Sequence, residues 1–144
     1  GVQTCALPIC ATLPDPAAGE RPDPRAFQRR LEQVGALWAA GELQSPGIES
    51  WQDFSGRVAG GLVELMAREG RSRRVVVSTS AGVIGAAVGA LLGLAPREAI
   101  KLSWSVHNSS VTRIQYDGAR TSLLSFNASP HLEHPDRRSM LTDR

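Results

Sequence analysis

The side chains best placed to do chemistry lie in the turn Ser78-Thr79-Ser80-Ala81-Gly82. Three β-branched residues, Val75-Val76-Val77, precede it, and an Ala- and Gly-rich run to Leu94 follows. No charged side chain occurs from Val75 to Leu94. This order predicts a buried strand, a tight turn and a buried helix. In open α/β sheets ligands sit outside the carboxyl ends of strands, so the turn is where this chain would hold one. Ser78-x-Ser80-x-Gly82 has the form of a nucleophile elbow with its first Gly replaced. Ser80 would then be the nucleophile of a serine hydrolase, with Asp117 and His131 following in that fold's order. The spacing is short for an α/β-hydrolase, and a hairpin turn explains Asp117 better. A turn of small residues chosen only for tight strand–helix packing is the plain alternative.

Other chemistry-bearing residues read as structural. His107, His131 and His134 are read as surface or loop histidines, and none has the i, i+4 spacing of a helical metal pair. Trp38, Trp51 and Trp104 are read as packing residues, Asn108 as a turn or strand-start residue, and Glu49 as a pre-cap residue. Cys5 and Cys10 both fall in Gly1–Cys10, which looks like translated sequencing-adapter sequence from environmental DNA. On that reading the authentic protein begins near Ala11, its real N-terminus is missing, and the cysteines report neither redox compartment nor metal. No metal and no cofactor are expected.

The elements that must position the turn follow from patterning. Of the 144 residues, 42% are hydrophobic and 21% charged, with a net charge of +2. That describes one soluble domain and gives no reason to expect nucleic acid or an anionic membrane. Arg68, Arg71, Arg73 and Arg74 read as a solvated helix end, where cations favour the dipole. Val75–Ala95 is just long enough to span a bilayer, but Ser78, Thr79 and Ser80 interrupt it. Gly85, Gly89 and Gly93 are therefore expected to serve close helix–sheet packing.

Ala11–Pro22 reads as a loop or linker. Asp23-Pro24 is a helix start, and Phe27, Leu31, Val34, Leu37 and Trp38 keep helical spacing up to Gly41. Ser50 with Asp53 forms an acidic capping box for a helix with Trp51, Phe54, Val58, Leu62, Leu65 and Met66 on one face. Gly70 closes that helix. After the turn a helix is expected from about Gly82 to Leu92, then one short helical turn at Pro96. Thr112, Ile114 and Tyr116 are placed on one face of a first β run, Leu124 and Phe126 on one face of a second. Asp117-Gly118 is the hairpin signal between them. Asn127–Glu133 reads as a loop and His134–Arg144 as a mobile polar tail. The order is helix, helix, strand, helix, two strands. One buried parallel-type strand cannot make a sheet alone, which suggests that neighbouring strands are missing and that Val75–Val77 is an exposed apolar edge.

Four stretches resemble the histidine phosphatase superfamily, also called phosphoglycerate mutase-like. Ile48-Glu49-Ser50-Trp51 with Phe54 and Arg57-Val58 resembles the Glu-Ser…Arg-Val helix before the family's catalytic strand. Val75–Ile84 resembles the strand ending in Ser-His-Gly-Gly-Val-Ile. Asn108-Ser109-Ser110-Val111-Thr112 resembles the Asn-x-Ser-Val-Thr strand start, and Asn127 with His131-Leu132 the closing Asn…His-Leu. Order and spacing agree across about Phe27–Leu132.

The resemblance implies a three-layer α/β/α phosphoglycerate mutase-like fold, incomplete because the N-terminal strand region is missing. Residues 1–10 would be a non-native segment, 11–133 the C-terminal part of one domain, and 134–144 a flexible tail. In the family an N-terminal strand ends in Arg-His-Gly, whose His becomes a phosphohistidine. A second His, two Arg and an acidic proton donor complete the pocket. Fixed cations and N–H donors suit a phosphoryl group's spread charge. This chain departs twice. It has no Arg-His-Gly, and alignment on Gly82 puts Ser80 where the second His belongs, with Thr79 and Ala81 beside it. Ser80 is thus the implied catalytic position, and Thr79, Ser80, Ala81 and Gly82 the implied substrate-binding turn, whose N–H groups suit an anion. Ser can hydrogen-bond a phosphate oxygen but carries no charge. The expected function is phosphomonoester hydrolysis with reduced activity, the 144 residues alone being inactive. A noncatalytic phosphate-binding or interaction module on the same fold is the alternative. The expected partner is a small phosphorylated substrate in the bacterial cytoplasm, without nucleic acid or membrane. A homodimer is left open.

Overall fold

Each long helix begins at a side chain suited to satisfy its free N–H groups. The computed structural model describes residues 23–43, 46–70, 72–118 and 120–140. Residues 1–22, with Cys5 and Cys10 and the adapter and linker expectations, lie outside them, as do Arg71 of the basic cluster and 141–144 of the tail. Helix α1 spans Pro24–Ala39, and Asp23 caps it by accepting the Arg25 N–H. Helix α2 spans Trp51–Glu69. The Ser50 hydroxyl accepts the Asp53 N–H at 3.1 Å and donates to the Asp53 carboxylate at 2.7 Å. This is the expected acidic capping box. Gly41 and Gly70, at φ +75° and +71°, turn the chain out of the two helices, a conformation that costs a residue with a Cβ.

α1 and α2 meet in an aromatic cluster. Trp38 and Trp51 pack edge to face with centroids 5.2 Å apart, and Phe54 lies 5.4 Å from Trp38 and 5.9 Å from Trp51. All three are buried with Val58, Ala86, Ala99 and Ile100, and Trp104 packs against this core. The tryptophans are packing residues, as expected.

Helix α3 spans Ala81–Leu92 and helix α4 Pro96–Trp104. The single short turn expected at Pro96 is thus a helix of nine residues. Its buried side is Ala99, Ile100 and Ser103, set opposite the exposed Arg97, Glu98 and Lys101. The glycines of α3 explain why small residues suffice. A Cβ on Gly85 would lie 2.8 Å from the Ala99 carbonyl oxygen and 2.9 Å from the Ser103 Cβ, and one on Gly89 would overlap the Ala99 Cβ. The expected helix–sheet packing is therefore helix–helix packing of α3 on α4. Gly93 packs against nothing and instead ends α3 at φ +64°.

A sign test follows. Gly89→Ala is expected to lower the unfolding free energy by about 1–3 kcal/mol through overpacking, although Ala normally favours a helix by about 1 kcal/mol over Gly. Gly61→Ala in α2, whose new Cβ meets nothing within 4 Å, is expected to raise it by about 0.5–1 kcal/mol. A Gly89→Ala urea midpoint that rises together with that of Gly61→Ala would refute the close α3–α4 contact.

Strands β1 (Val111–Tyr116) and β2 (Thr121–Ala128) form an antiparallel pair around Asp117-Gly118. Asp117 Oδ1 accepts the Arg120 N–H at 2.9 Å, and the Asp117 N–H donates to the Arg120 carbonyl at 3.1 Å. Thr112, Ile114 and Tyr116 lie on one half-buried face, as expected. Leu124 does not share a face with Phe126: Leu124 is 61% exposed, while Phe126 is half-buried. Ile114 pairs with Leu123 and Arg113 with Ser125, leaving Leu124 as an extra residue. Such a bulge breaks the alternation of faces.

The largest departure is Val75–Ser78. It is not a buried strand: residues 72–79 are exposed and unpaired, and Val76 is 95% exposed. No described strand lies beside it, since the described sheet contains β1 and β2 alone. A strand without a partner has no ladder to hold it. The exposed apolar edge anticipated from the lack of neighbours is what the structure has. Beyond β2 the expected loop is partly ordered. Asn127 and Ala128 belong to β2, and Pro130–Leu132 forms a 3-10 turn with Leu132 buried. Pro135–Met140 is a 3-10 run, exposed at residues 135–137 and 139–140. Among the described residues no helix is long and apolar enough to cross a membrane.

Candidate functional site

The tight turn expected before α3 is not formed as such: Ser78–Ser80 continue the irregular segment, and Ala81 and Gly82 already belong to α3. Ser78 and Thr79 are exposed, Ser80 is half-buried, and Ala81 and Gly82 are buried. Ser80 is the N-cap of α3 in an extended conformation, φ −88° and ψ 161°. Its carbonyl accepts the first helical bond, from the Ile84 N–H at 3.1 Å. Ser is a preferred N-cap because its hydroxyl can accept a first-turn N–H, yet Ser80 makes no side-chain cap bond. The first turn of α3 also contains no acid. Helix geometry leaves its first N–H groups facing forward out of the helix, and the aligned peptides add partial positive charge there. Thr79, Ser80, Ala81 and Gly82 are thus contiguous at the mouth of an uncharged helix, a suitable place for an anion.

Two further clusters match the other stretches singled out in the sequence. The first is Glu49 with Arg57. Arg57 Nε donates to Glu49 Oε1 at 3.0 Å and its terminal nitrogen to Oε2 at 2.7 Å, while the guanidinium lies 5.5 Å from the Phe54 ring centroid. The Glu49 carbonyl accepts the Trp38 indole N–H at 2.7 Å. Glu49 therefore braces the start of α2, in keeping with its pre-cap reading.

The second cluster centres on Asn127, whose role the sequence did not disclose. Its side-chain oxygen accepts the His107 N–H at 2.8 Å, and its amide donates to the Ser105 carbonyl at 2.6 Å. Its own N–H donates to the Thr112 hydroxyl at 3.2 Å. Asn127 sits at φ +54°, a region that Asn tolerates better than most residues. One side chain thus ties the α4–β1 connection to the end of β2. These partners lie about 15–22 residues away in sequence, beyond any local pattern. Asn127→Ala is expected to cost about 1–2 kcal/mol, from the lost bonds to the His107 N–H and the Ser105 carbonyl together with the strained backbone. Asn127→Gly relieves the backbone strain but not the lost bonds. Asn127→Gly is therefore expected to unfold between Asn127→Ala and wild type, and a midpoint above wild type would show that the side-chain bonds contribute less than the backbone strain costs.

The histidines stay apart from any metal arrangement. His131 and His134 are exposed, and His107 is half-buried on the α4–β1 connection. Among the described residues no three His, Cys, Asp or Glu side chains are grouped to hold a metal ion. Asp117 is engaged within its hairpin turn.

The histidine phosphatase superfamily (branch 1) family model matches residues 19–129, and the chain belongs to that superfamily. The match spans the Ser78–Gly82 turn, the Glu49–Arg57 pair and Asn127. No curated protein and no solved structure matches the chain. The four α-helices and two-strand sheet of the described residues are consistent with an incomplete phosphoglycerate mutase-like α/β fold. Membership supports a phosphatase-like function in general terms.

Proposed function

We propose that these residues form the C-terminal part of a phosphatase that hydrolyses small phosphomonoesters through a phosphohistidine in the bacterial cytoplasm. The observation that carries this reading is the family match across 19–129, which includes the turn opening α3. A His on a strand preceding these residues would attack phosphorus, and the ester oxygen would leave with a proton from an acidic side chain. Water would then cleave the P–N bond and release phosphate. The turn contributes first-turn N–H groups and the Ser80 hydroxyl to the phosphoryl oxygens. A His nucleophile suits this role because its pKa lies near ambient pH. Ser80 supplies a neutral donor where the family's pattern has an imidazole, which lowers transition-state stabilisation.

One feature favours a second reading, a noncatalytic phosphate-binding or interaction module. Ser80 cannot carry charge. Assay of a generic aryl phosphate separates the two. The 144 residues alone are expected to show no turnover. With the upstream coding sequence through an Arg-His-Gly strand restored, turnover and an acid-labile, base-stable phosphoenzyme are expected. No turnover with an intact Arg-His-Gly would reject the phosphatase reading and leave the binding module.

A further inference from the structure

We draw no further inference here: the strongest candidate, the exposed extended segment Val75–Val77 ahead of α3, is an unpartnered apolar edge, and nothing in the structure shows what covers it.

Discussion

Trp38→Ala is expected to lower the unfolding free energy by about 3–5 kcal/mol, the range for deleting a buried aromatic side chain. Trp38 is 1% exposed and touches both Trp51 and Phe54. Such ring pairs each add about 0.5–1.5 kcal/mol beyond burial alone. Its indole N–H also holds the Glu49 carbonyl at 2.7 Å, tying the last turn of α1 to the start of α2. A loss of this size is a large share of the roughly 5–15 kcal/mol that stabilises an ordinary domain. Trp38→Phe keeps much of the ring contact but removes the donor, so a smaller loss of about 1–2 kcal/mol is expected. Urea unfolding followed by far-ultraviolet circular dichroism avoids relying on tryptophan emission. If Trp38→Ala costs less than about 1 kcal/mol, α1 is not docked on Trp51 and Phe54 in solution.

The two helices that Trp38 joins were legible because their signals are local. Asp23-Pro24 and Ser50…Asp53 are caps that act over two or three residues. Of the apolar spacing behind them, Leu31, Val34, Trp38, Trp51, Phe54 and Val58 join the core, whereas Phe27 and Leu37 stay exposed and Leu62, Leu65 and Met66 are only half-buried. The hairpin was legible for the same reason, since Asp117 bonds within its own turn. What escaped was set by neighbours distant in sequence. Gly85 and Gly89 announce a close approach, but not whether a sheet or a helix makes it. The answer depends on Ala99 and Ser103, which lie 14 or more residues beyond Gly85 on another helix. Leu124 obeys strict alternation in sequence and is displaced by a bulge fixed through its partner strand. Asn127 reads as a loop residue, because its bonds to Ser105, His107 and Thr112 require the hairpin to have formed first.

Val75–Val77 shows the limit from the other side. Its composition predicts a strand, and its backbone leads straight into the N-cap of α3, so the local reading is sound. Strand character is completed only by hydrogen bonds from a neighbour, and none of the described residues supplies them. The start of α3 was therefore readable from residue order alone. Its chemistry was not, because small hydroxyl residues before a helix serve packing and anion binding equally well. The assignment to phosphate chemistry rests on the family to which the chain belongs.

If Ser80 stands where the family's second His belongs, Ser80→His is the substitution with the largest expected effect on activity. In a chain carrying an Arg-His-Gly strand, it is expected to raise kcat/KM by about 30- to 1,000-fold, corresponding to a gain of about 2–4 kcal/mol from one preorganised donor. The structure favours this test over most active-site substitutions. Ser80 lies in extended backbone that any residue can adopt, and its hydroxyl does not cap α3, so no helix cap is lost. Ser80→Ala removes only a neutral donor and is expected to cost a few-fold, in line with about 1 kcal/mol for one hydrogen bond. The pH profile distinguishes a charged donor from a general improvement in packing. The nucleophilic His must be neutral to attack, so activity rises with pH through its pKa in both proteins. The introduced His must be protonated to act as a cation, so only Ser80→His adds a limb that falls as pH rises through the second imidazole's pKa. That pKa starts from about 6.5 in the free side chain, and a bound phosphate dianion raises it by favouring the charged form. The variant is therefore expected to show a bell where the parent shows a rising curve. A Ser80→His variant no faster than the parent, with the same rising profile, would remove Ser80 from the phosphate pocket while leaving the family assignment intact.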